Sequence, residues 1–402
     1  MCRRPRGTLV ASLSLSTREL NLAAGRGNSR FCTVLVKGCD AMSTPRSVAA
    51  AFTYSMRPLR VYWETTRACD LACRHCRATA APEPSPAELT FEEGCAVLGR
   101  VASFGGPLPH VVLTGGDPLK RADLIALIAH ARGLGLGVSV ASSATPLLTF
   151  DALRRLRDAG VDAISLSLDG ATPDHHDAIR GIEGTYERTV RAADDARRLG
   201  LPFQVNTLVC AETVDDLPRI HHHVTALGAA RWSLFFLVTV GRGQILRPVS
   251  ARRAEEILGW LAALRAGRGS RGCAITTTEA PQLRRVIEQQ QKQPGSPHPP
   301  SRHTTHHAAG IRDGNGIVFI SHTGDICPSG FLEVAVGNVR RDDLVDVYRE
   351  SGIFSALRRV PGFRGRCGRC EYLSVCGGSR ARAYAATGDL LGEDPLCAYE
   401  PA

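Results

Sequence analysis

Six short runs of β-forming residues alternate with six amphipathic stretches between residues 60 and 267, and this alternation restricts the possible folds more than any other feature. The runs are Arg60–Thr66, His110–Thr114, Gly137–Ser142, Ala163–Leu168, Phe203–Val209 and Trp232–Val238. The helical patterns lie near 90–104, 121–134, 149–160, 184–199, 213–227 and 251–267. Strands that alternate with helices form parallel sheets joined by right-handed crossovers. We therefore predict an α/β fold, a partial (β/α)6 TIM-like barrel over residues 57–270.

The pattern changes after the barrel region. Residues 271–309 are interpreted as a connecting helix and a disordered loop, because residues 289–309 are rich in Pro, Gln and Ser and lack periodicity. Residues 315–328 then predict a β-hairpin whose turn lies at Thr323-Gly324-Asp325. A helix over Asp343–Arg349 and a cysteine-rich end follow. We expect a small C-terminal cysteine-rich α+β domain over 310–402.

The charge of the chain is concentrated near its start. The formal net charge is +10, but residues 1–60 hold ten Lys and Arg against Glu19 and Asp40, which is +8 and leaves +2 for the rest. We interpret residues 1–56 as a disordered basic extension and expect no nucleic-acid partner. No run of about 18 apolar residues occurs, so we expect no membrane span. We expect a cytoplasmic protein.

Cysteines indicate the chemistry. Fourteen cysteines in a chain without a convincing secretory signal favour metal or redox chemistry over disulfides. Three of them, Cys69, Cys73 and Cys76, fall in the loop after the first strand. Three thiolates at this spacing can bind three corners of an iron-sulfur cube and leave the fourth iron open. The alternatives are a zinc site that includes His75, or a cluster of inert thiols.

Two further segments lie where predicted strands end, which is the edge at which β/α barrels place reactive groups. The glycines of Gly115-Gly116-Asp117-Pro118 let backbone approach a ligand closely, although the segment is equally compatible with an ordinary turn. Asp169 can accept hydrogen bonds from a ribose diol, or it can cap a helix. Gly241-Arg242-Gly243 is interpreted as a glycine turn after a buried strand, with a substrate wall as the alternative.

In this order, the three cysteines, Gly115-Gly116-Asp117-Pro118, the Ser-Leu-Asp-Gly stretch and His176-x3-Arg180 resemble the radical S-adenosylmethionine enzymes. The resemblance implies that Cys69, Cys73 and Cys76 bind a [4Fe-4S] cluster whose open iron is chelated by S-adenosylmethionine. The cofactor-binding residues that it implies are Gly115, Gly116 and Asp117 at the methionine amine, Ser167 and Asp169 near the ribose, Arg180 at the carboxylate, and Asn206. Asp117 departs from the family pattern, which usually has Glu there.

The C-terminal cysteines follow a second spacing. Cys367, Cys370, Cys376 and Cys397 can close a cluster or a zinc site completely. They resemble the auxiliary-cluster domain called SPASM, full versions of which hold two extra clusters and have a further cysteine where Arg380 stands. We predict one auxiliary [4Fe-4S] cluster on the four cysteines, with structural zinc as the alternative. Cys327 is either a spare ligand or simply packed.

The resemblance implies an enzyme that cleaves S-adenosylmethionine to a 5′-deoxyadenosyl radical and abstracts hydrogen from its substrate. A haem-like cofactor precursor and a peptide are the two candidate substrates, the second with a separate leader-binding partner. The electron donor expected is a flavodoxin or ferredoxin. The alternative class of function is a non-catalytic iron-sulfur or haem carrier.

Overall fold

One sheet of ten strands organises the molecule. The computed structural model describes residues 54–267, 272–292 and 310–402. The strands are β1 (Arg60–Thr66), β2 (His110–Gly115), β3 (Val138–Ala141), β4 (Ala163–Ser167), β5 (Phe203–Val209), β6 (Arg231–Phe236), β7 (Ala274–Thr278), β8 (Ile317–Ile320), β9 (Asp325–Cys327) and β10 (Gly337–Asn338). Their order is β10-β9-β8-β1-β2-β3-β4-β5-β6-β7, parallel from β8 to β7. The predicted parallel α/β barrel architecture is confirmed.

Helices connect consecutive strands from β1 to β8, and in the described part of the chain four more helices follow β10. In chain order they are α1 (Phe91–Ala102), α2 (Leu124–Gly133), α3 (Phe150–Asp158), α4 (Pro173–Arg180), α5 (Thr185–Arg198), α6 (Leu217–Leu227), α7 (Ala251–Ala266), α8 (Gln282–Lys292), α9 (Leu344–Glu350), α10 (Gly352–Arg358), α11 (Gly365–Gly368) and α12 (Arg380–Thr387). No helix in residues 54–267, 272–292 and 310–402 has the length and apolarity to cross a membrane.

Two elements extend the sheet beyond the six predicted strands. Residues 274–278, for which the sequence predicts no strand, form β7 beside β6. The predicted hairpin is confirmed, since β8 and β9 pair antiparallel at Phe319↔Cys327. In addition, β8 pairs parallel with β1, from Arg60↔Ile317 to Trp63↔Ile320. The region after residue 310 therefore contributes strands to the same sheet as the barrel.

The core lies between the outer face of the sheet and the helices. Val61 and Trp63 of β1 are fully buried there, and α1 approaches so closely that a Cβ at Gly94 would lie 2.6 Å from the Trp63 ring. Successive side chains of a strand point to opposite faces, so Tyr62, Ser167 and Asn206 lie on the inner face, where they are half-buried. The C-terminal ends of β1 to β6 meet at one rim, which holds the first candidate site.

The predictions that fall on residues 1–53 and 293–309, the basic extension and the proline-rich loop, lie outside the described residues.

Candidate functional site

The loop that carries Cys69, Cys73 and Cys76 is held by backbone hydrogen bonds against the turn that follows β2. Gly116 N donates to Thr66 O at 2.8 Å, and Asp117 N donates to Ala68 O at 2.7 Å. A Cβ at Gly116 would lie 2.4 Å from Ala68 O, and one at Gly115, whose φ is +153°, would lie 2.3 Å from Thr66 O. Only glycines permit this approach, so the Gly-Gly pair sets the position of the cysteine loop.

The three thiols lie together in a small apolar cluster. Cys69 and Cys73 are buried, Cys76 is half-buried, and Leu71 packs among them. The Cys69 Sγ lies 3.7 Å from Ser143 Oγ, and the Cys73 Sγ lies 3.8 Å from Arg180 Nη1. Burial raises the pKa of the Cys69 and Cys73 thiols, which disfavours the free thiolates. A bound metal removes this penalty by taking the thiolate charge.

Asp169 and Arg180 form a buried ion pair beside the thiols. Arg180 Nη2 lies 2.5 Å from Asp169 Oδ2, and Leu208 N donates to Asp169 Oδ1 at 2.7 Å. Burial acts to raise the pKa of Asp169, but the Arg180 charge, the neighbouring His75 and His176 and the hydrogen bond from Leu208 together outweigh it, and the pKa is lowered. Asp169 is therefore a permanent carboxylate, and its charge is matched by Arg180.

Two buried histidine nitrogens at this rim have no partner in the part of the chain that the structure describes. They are His75 Nδ1 and His176 Nε2. His176 Nδ1 accepts from Asp169 N at 3.0 Å, so Nε2 carries the proton. Burial first, and then the Arg180 charge, lowers the pKa of both histidines to about 4, so they are neutral. Unsatisfied buried polar atoms beside three thiols fit a site that receives a polar cofactor.

The remaining predicted cofactor-binding residues, Ser167, Asn206 and Asp117, differ in whether protein groups already occupy their polar atoms. Ser167 and Asn206 are register partners on β4 and β5 at the rim, and Asn206 Oδ1 accepts from Gln204 Nε2 at 2.7 Å. Asp117 differs, because its fully buried carboxylate accepts from Ser142 Oγ at 3.1 Å and from Thr145 Oγ1 at 2.6 Å. Protein donors thus already occupy the Asp117 oxygens. Sequence spacing could not reveal these partners, which come from the loop after β3.

Gly241 and Arg242 support the cysteine loop from the other side. Arg242 N donates to Cys76 O at 2.9 Å, and its Nε donates to Cys73 O at 3.0 Å. Gly241 has φ +53°, and a Cβ there would lie 2.3 Å from Arg77 O. The glycine turn after β6 is therefore part of the frame of the first site.

An ionic network below the cysteine loop has no counterpart in the sequence predictions. The fully buried Glu64 accepts from Arg77 Nη2 at 3.1 Å, from Arg67 Nε at 3.3 Å and from His322 Nδ1 at 2.9 Å. Arg77 also pairs with Glu333 at 2.9 Å. The network joins β1 and the cysteine loop to residues after β8. These residues are distant in the sequence and meet only in the folded chain.

The C-terminal cysteines line one pocket. All four predicted ligands, Cys367, Cys370, Cys376 and Cys397, face it. The other lining residues are Arg285, Arg366, Leu373, Gly377, Gly378, Glu393, Asp394, Tyr399 and Pro401. Gly378 N donates to the Cys376 Sγ at 3.5 Å, and burial raises the pKa of that thiol to about 12. Four converging thiols in a pocket with N–H donors fit an iron-sulfur cluster, whose sulfurs accept such hydrogen bonds.

Among residues 54–267, 272–292 and 310–402, no group of three or more His, Cys, Asp or Glu side chains is arranged to hold a single metal ion. A four-iron cluster makes a different demand, because each thiolate binds its own iron. Cys327 does not line the four-cysteine pocket. It is buried on β9 opposite Phe319, and burial raises its pKa to about 12.

Comparisons with known proteins match these features. The family model described as the Radical SAM superfamily matches residues 63–224. AdoMet-dependent heme synthase of Oleidesulfovibrio alaskensis is 38% identical over 344 residues, which cover 85% of this chain and 87% of that protein. PqqA peptide cyclase of Rhizobium meliloti is 28% identical over 372 residues, covering 90% and 92%. The crystal structure of Streptococcus suis SuiB shares the fold, with a TM-score of 0.64 at 17% identity over 86% of this chain and 78% of that one.

Proposed function

The chain belongs to the radical SAM superfamily, and from this premise we propose that it oxidises a haem-like cofactor precursor by hydrogen abstraction. When bound, a reduced [4Fe-4S] cluster with chelated S-adenosylmethionine supplies a 5′-deoxyadenosyl radical, which takes a hydrogen atom from an unreactive carbon. The observation that carries the proposal is the convergence of three thiols, a buried Asp169–Arg180 pair and unpartnered histidine nitrogens at one rim of the barrel.

Cys69, Cys73 and Cys76 would hold the first cluster. The Gly115-Gly116 turn, which lies against the cysteine loop, would present backbone to the methionine amine. Arg180, whose buried Nε has no partner among the described residues, would donate a hydrogen bond to the methionine carboxylate, and Ser167, Asp169 and Asn206 would face the ribose. Asp117 was expected at the amine; since Ser142 and Thr145 occupy its oxygens, we propose that it acts by holding the glycine turn.

Cys367, Cys370, Cys376 and Cys397 would bind one auxiliary [4Fe-4S] cluster. Their common pocket supports this assignment. Metal analysis distinguishes it from the alternative, a structural zinc ion. A reduced flavodoxin or ferredoxin would deliver electrons to the enzyme.

The proposed substrate class is based on sequence identity to two relatives over nearly the whole chain. The heme synthase is 38% identical to this chain and the peptide cyclase 28% identical, at similar coverage. This difference supports a haem-like substrate over a peptide. A peptide substrate, recruited with a separate leader-binding partner, is the second outcome that the substrate assay distinguishes.

The test is anaerobic turnover of the reconstituted full chain. Reduced protein is mixed with S-adenosylmethionine, and 5′-deoxyadenosine is quantified with and without iron coproporphyrin III, a tetrapyrrole with carboxylate side chains. We expect the tetrapyrrole to stimulate 5′-deoxyadenosine formation and to be consumed. Cys73→Ala should abolish formation, whereas Cys95→Ala, on α1 and away from both sites, should leave it unchanged.

Formation of 5′-deoxyadenosine in Cys73→Ala would refute the cluster assignment. Stimulation by a candidate precursor peptide, with none by tetrapyrroles, would refute the substrate class while leaving the radical chemistry in place.

A further inference from the structure

Three arginines lie next to residues of the four-cysteine segment and form no ion pair with a carboxylate in the described part of the chain; we call Arg284, Arg312 and Arg380 the arginine cage. Arg284 donates to the carbonyl of Val375 at 3.2 Å, and a Cβ at Gly377 would lie 3.0 Å from Arg312 Cδ. Arg380 is fully buried, Arg312 is 6% exposed, and Arg284 is half-buried. Arg380 Nη2 lies 3.7 Å from the Cys367 Sγ. The cage therefore brings positive charge directly to the proposed cluster ligands.

The hydrogen bonds of the cage go to neutral groups. Arg312 donates to the carbonyls of Gly310 at 3.0 Å and Leu357 at 3.2 Å, and its buried Nε has no partner among the described residues. Arg380 donates to the carbonyls of Gly392 at 2.5 Å and Leu390 at 3.3 Å. These bonds satisfy N–H groups but place no carboxylate within ion-pair distance of either guanidinium, and the charge of Asp313 offsets that of Arg312 only in part.

Among the described residues, the arginines of the cage differ from neighbouring arginines in having no carboxylate within ion-pair distance. Each of three arginines near the same pocket has a carboxylate within 3.1 Å: Arg285 pairs with Glu255, Arg366 with Glu393 and Arg382 with Asp394. The Oδ2 of Asp313, the acid next to Arg312, accepts the backbone N–H groups of Arg380 and Ala381. Residues 268–271 and 293–309 contain no Asp or Glu, so outside the described residues the only acids are Glu19 and Asp40.

The cage charges also repel one another. Two of them lie near one aromatic ring: the centroid of Phe363 is 5.2 Å from the Arg312 guanidinium carbon and 4.8 Å from that of Arg380. Burial first, and then the charges of Arg380 and Arg284, lowers the pKa of Arg312 to about 10. Burying unpaired like charges is unfavourable unless an anion offsets them.

An iron-sulfur cluster on four thiolates is such an anion. Its net charge is negative, and it becomes more negative by one unit when the cluster is reduced. Nearby positive charge stabilises the reduced form more than the oxidised form, and surrounding charge is one of the determinants of cluster potential. The cage therefore favours reduction of the auxiliary cluster.

The first site has the opposite arrangement. Its buried arginine, Arg180, is 3.8 Å from the Cys73 Sγ, but Asp169 lies 2.5 Å from the same guanidinium and cancels its charge. The two cysteine sites thus differ in electrostatics although both have an arginine against a thiol.

We propose that the arginine cage makes the auxiliary cluster easier to reduce than the cluster at Cys69, Cys73 and Cys76, so that one electron shared between them resides on the auxiliary cluster. This inference rests on the proposed function, since it assumes that both cysteine sites hold clusters. It identifies Arg312 and Arg380 as residues that set the direction of electron flow and explains an arginine where a full SPASM domain has a cysteine.

The test is a reductive titration of the anaerobic holoenzyme followed by electron paramagnetic resonance. Addition of S-adenosylmethionine perturbs only the signal of the first cluster, which separates the two signals. We expect the higher midpoint potential for the auxiliary cluster. Arg312→Gln and Arg380→Gln should each lower it by about 59 mV or more, a tenfold change in the electron-transfer equilibrium. The matched variants Arg312→Lys and Arg380→Lys keep the charge and should retain the potential.

An unchanged midpoint potential in both Gln variants would overturn the inference while leaving the proposed function intact. Auxiliary iron lost from the Gln variants but kept in the Lys variants would support a charge requirement. Loss from both kinds of variant would contradict it, because shape rather than charge would then be decisive. A native protein without a second cluster would refute the auxiliary assignment in the proposed function itself.

Discussion

Glu64 shows how a single residue is held in an ionised state inside the protein. Burial acts to raise its pKa, but the hydrogen bond from His322 and the charges of Arg77 and Arg67 lower it to about 2. Its ordinary value is 4.5. Ionised Glu64 therefore stabilises the folded state, and this contribution is complete above pH 4.5 and is lost as the pH falls towards 2.

We predict that Glu64→Gln destabilises the protein by about 3–5 kcal/mol at pH 7, because Arg77 and Arg67 lose a buried partner. Anaerobic urea unfolding measures the free energy of unfolding from pH 7 to pH 3. The difference between native protein and variant should shrink below pH 4.5, where the carboxylate of the unfolded chain begins to be protonated while that of the folded protein stays ionised. A difference that stays constant down to pH 3 would show that charge is not the cause.

At the scale of elements, the first site depends on how closely the turn after β2 approaches the cysteine loop. A Cβ at Gly116 would lie 2.4 Å from Ala68 O and 2.7 Å from Arg67 O. Both obstacles are backbone atoms, so the loop itself has to move if a side chain is added. The turn therefore acts as a spacer that sets the position of Cys69.

We predict that Gly116→Ala displaces the cysteine loop and releases the first cluster while the auxiliary cluster stays. Bound iron should fall from about eight to about four atoms per chain, and 5′-deoxyadenosine formation should be lost. Gly99→Ala on α1 is the matched control, since a Cβ there meets nothing within 4 Å. Full iron content in Gly116→Ala would contradict the spacer role.

The elements differ in how far the sequence predicts them. β1 and β5 have the predicted bounds; Arg67 follows the first run, and Pro202 precedes the second. β7 was missed, since its short threonine-rich run gains its stability from pairing with β6. That the cysteines gather into two groups could be predicted from their local spacing. The partners of Asp117 and Glu64 could not, because their contacts join segments that are distant in the sequence.

For the whole molecule, the two cysteine sites lie in different parts of the fold and use separate sets of side chains. The first lies at the rim of β1 to β6, and the second lies beyond α10, in the pocket of Cys367, Cys370, Cys376 and Cys397. The connections between them include the β1–β8 pairing, the Glu64 network and the hydrogen bonds of Arg382 to the carbonyls of Phe236 and Leu237. None of these connections includes a cysteine of either set.

We predict that Cys370→Ala removes the auxiliary iron and leaves the first cluster detectable. Reductive cleavage of S-adenosylmethionine should then persist, while the auxiliary signal disappears from the electron paramagnetic resonance spectrum. Cys273→Ala, a buried thiol outside both sets, is the control. Loss of both clusters in Cys370→Ala would mean that the two sites assemble as one unit.

The pairing of β1 with β8 has a consequence for biosynthesis on the ribosome. Arg60 and its partner Ile317 are 257 positions apart (317 − 60), which at cellular translation speeds corresponds to roughly 10–50 s. During that interval one edge of β1 has no strand beside it, and unpaired edges promote aggregation. The nascent chain therefore needs shielding, by a chaperone or by its own earlier residues, until the last quarter of the polypeptide emerges.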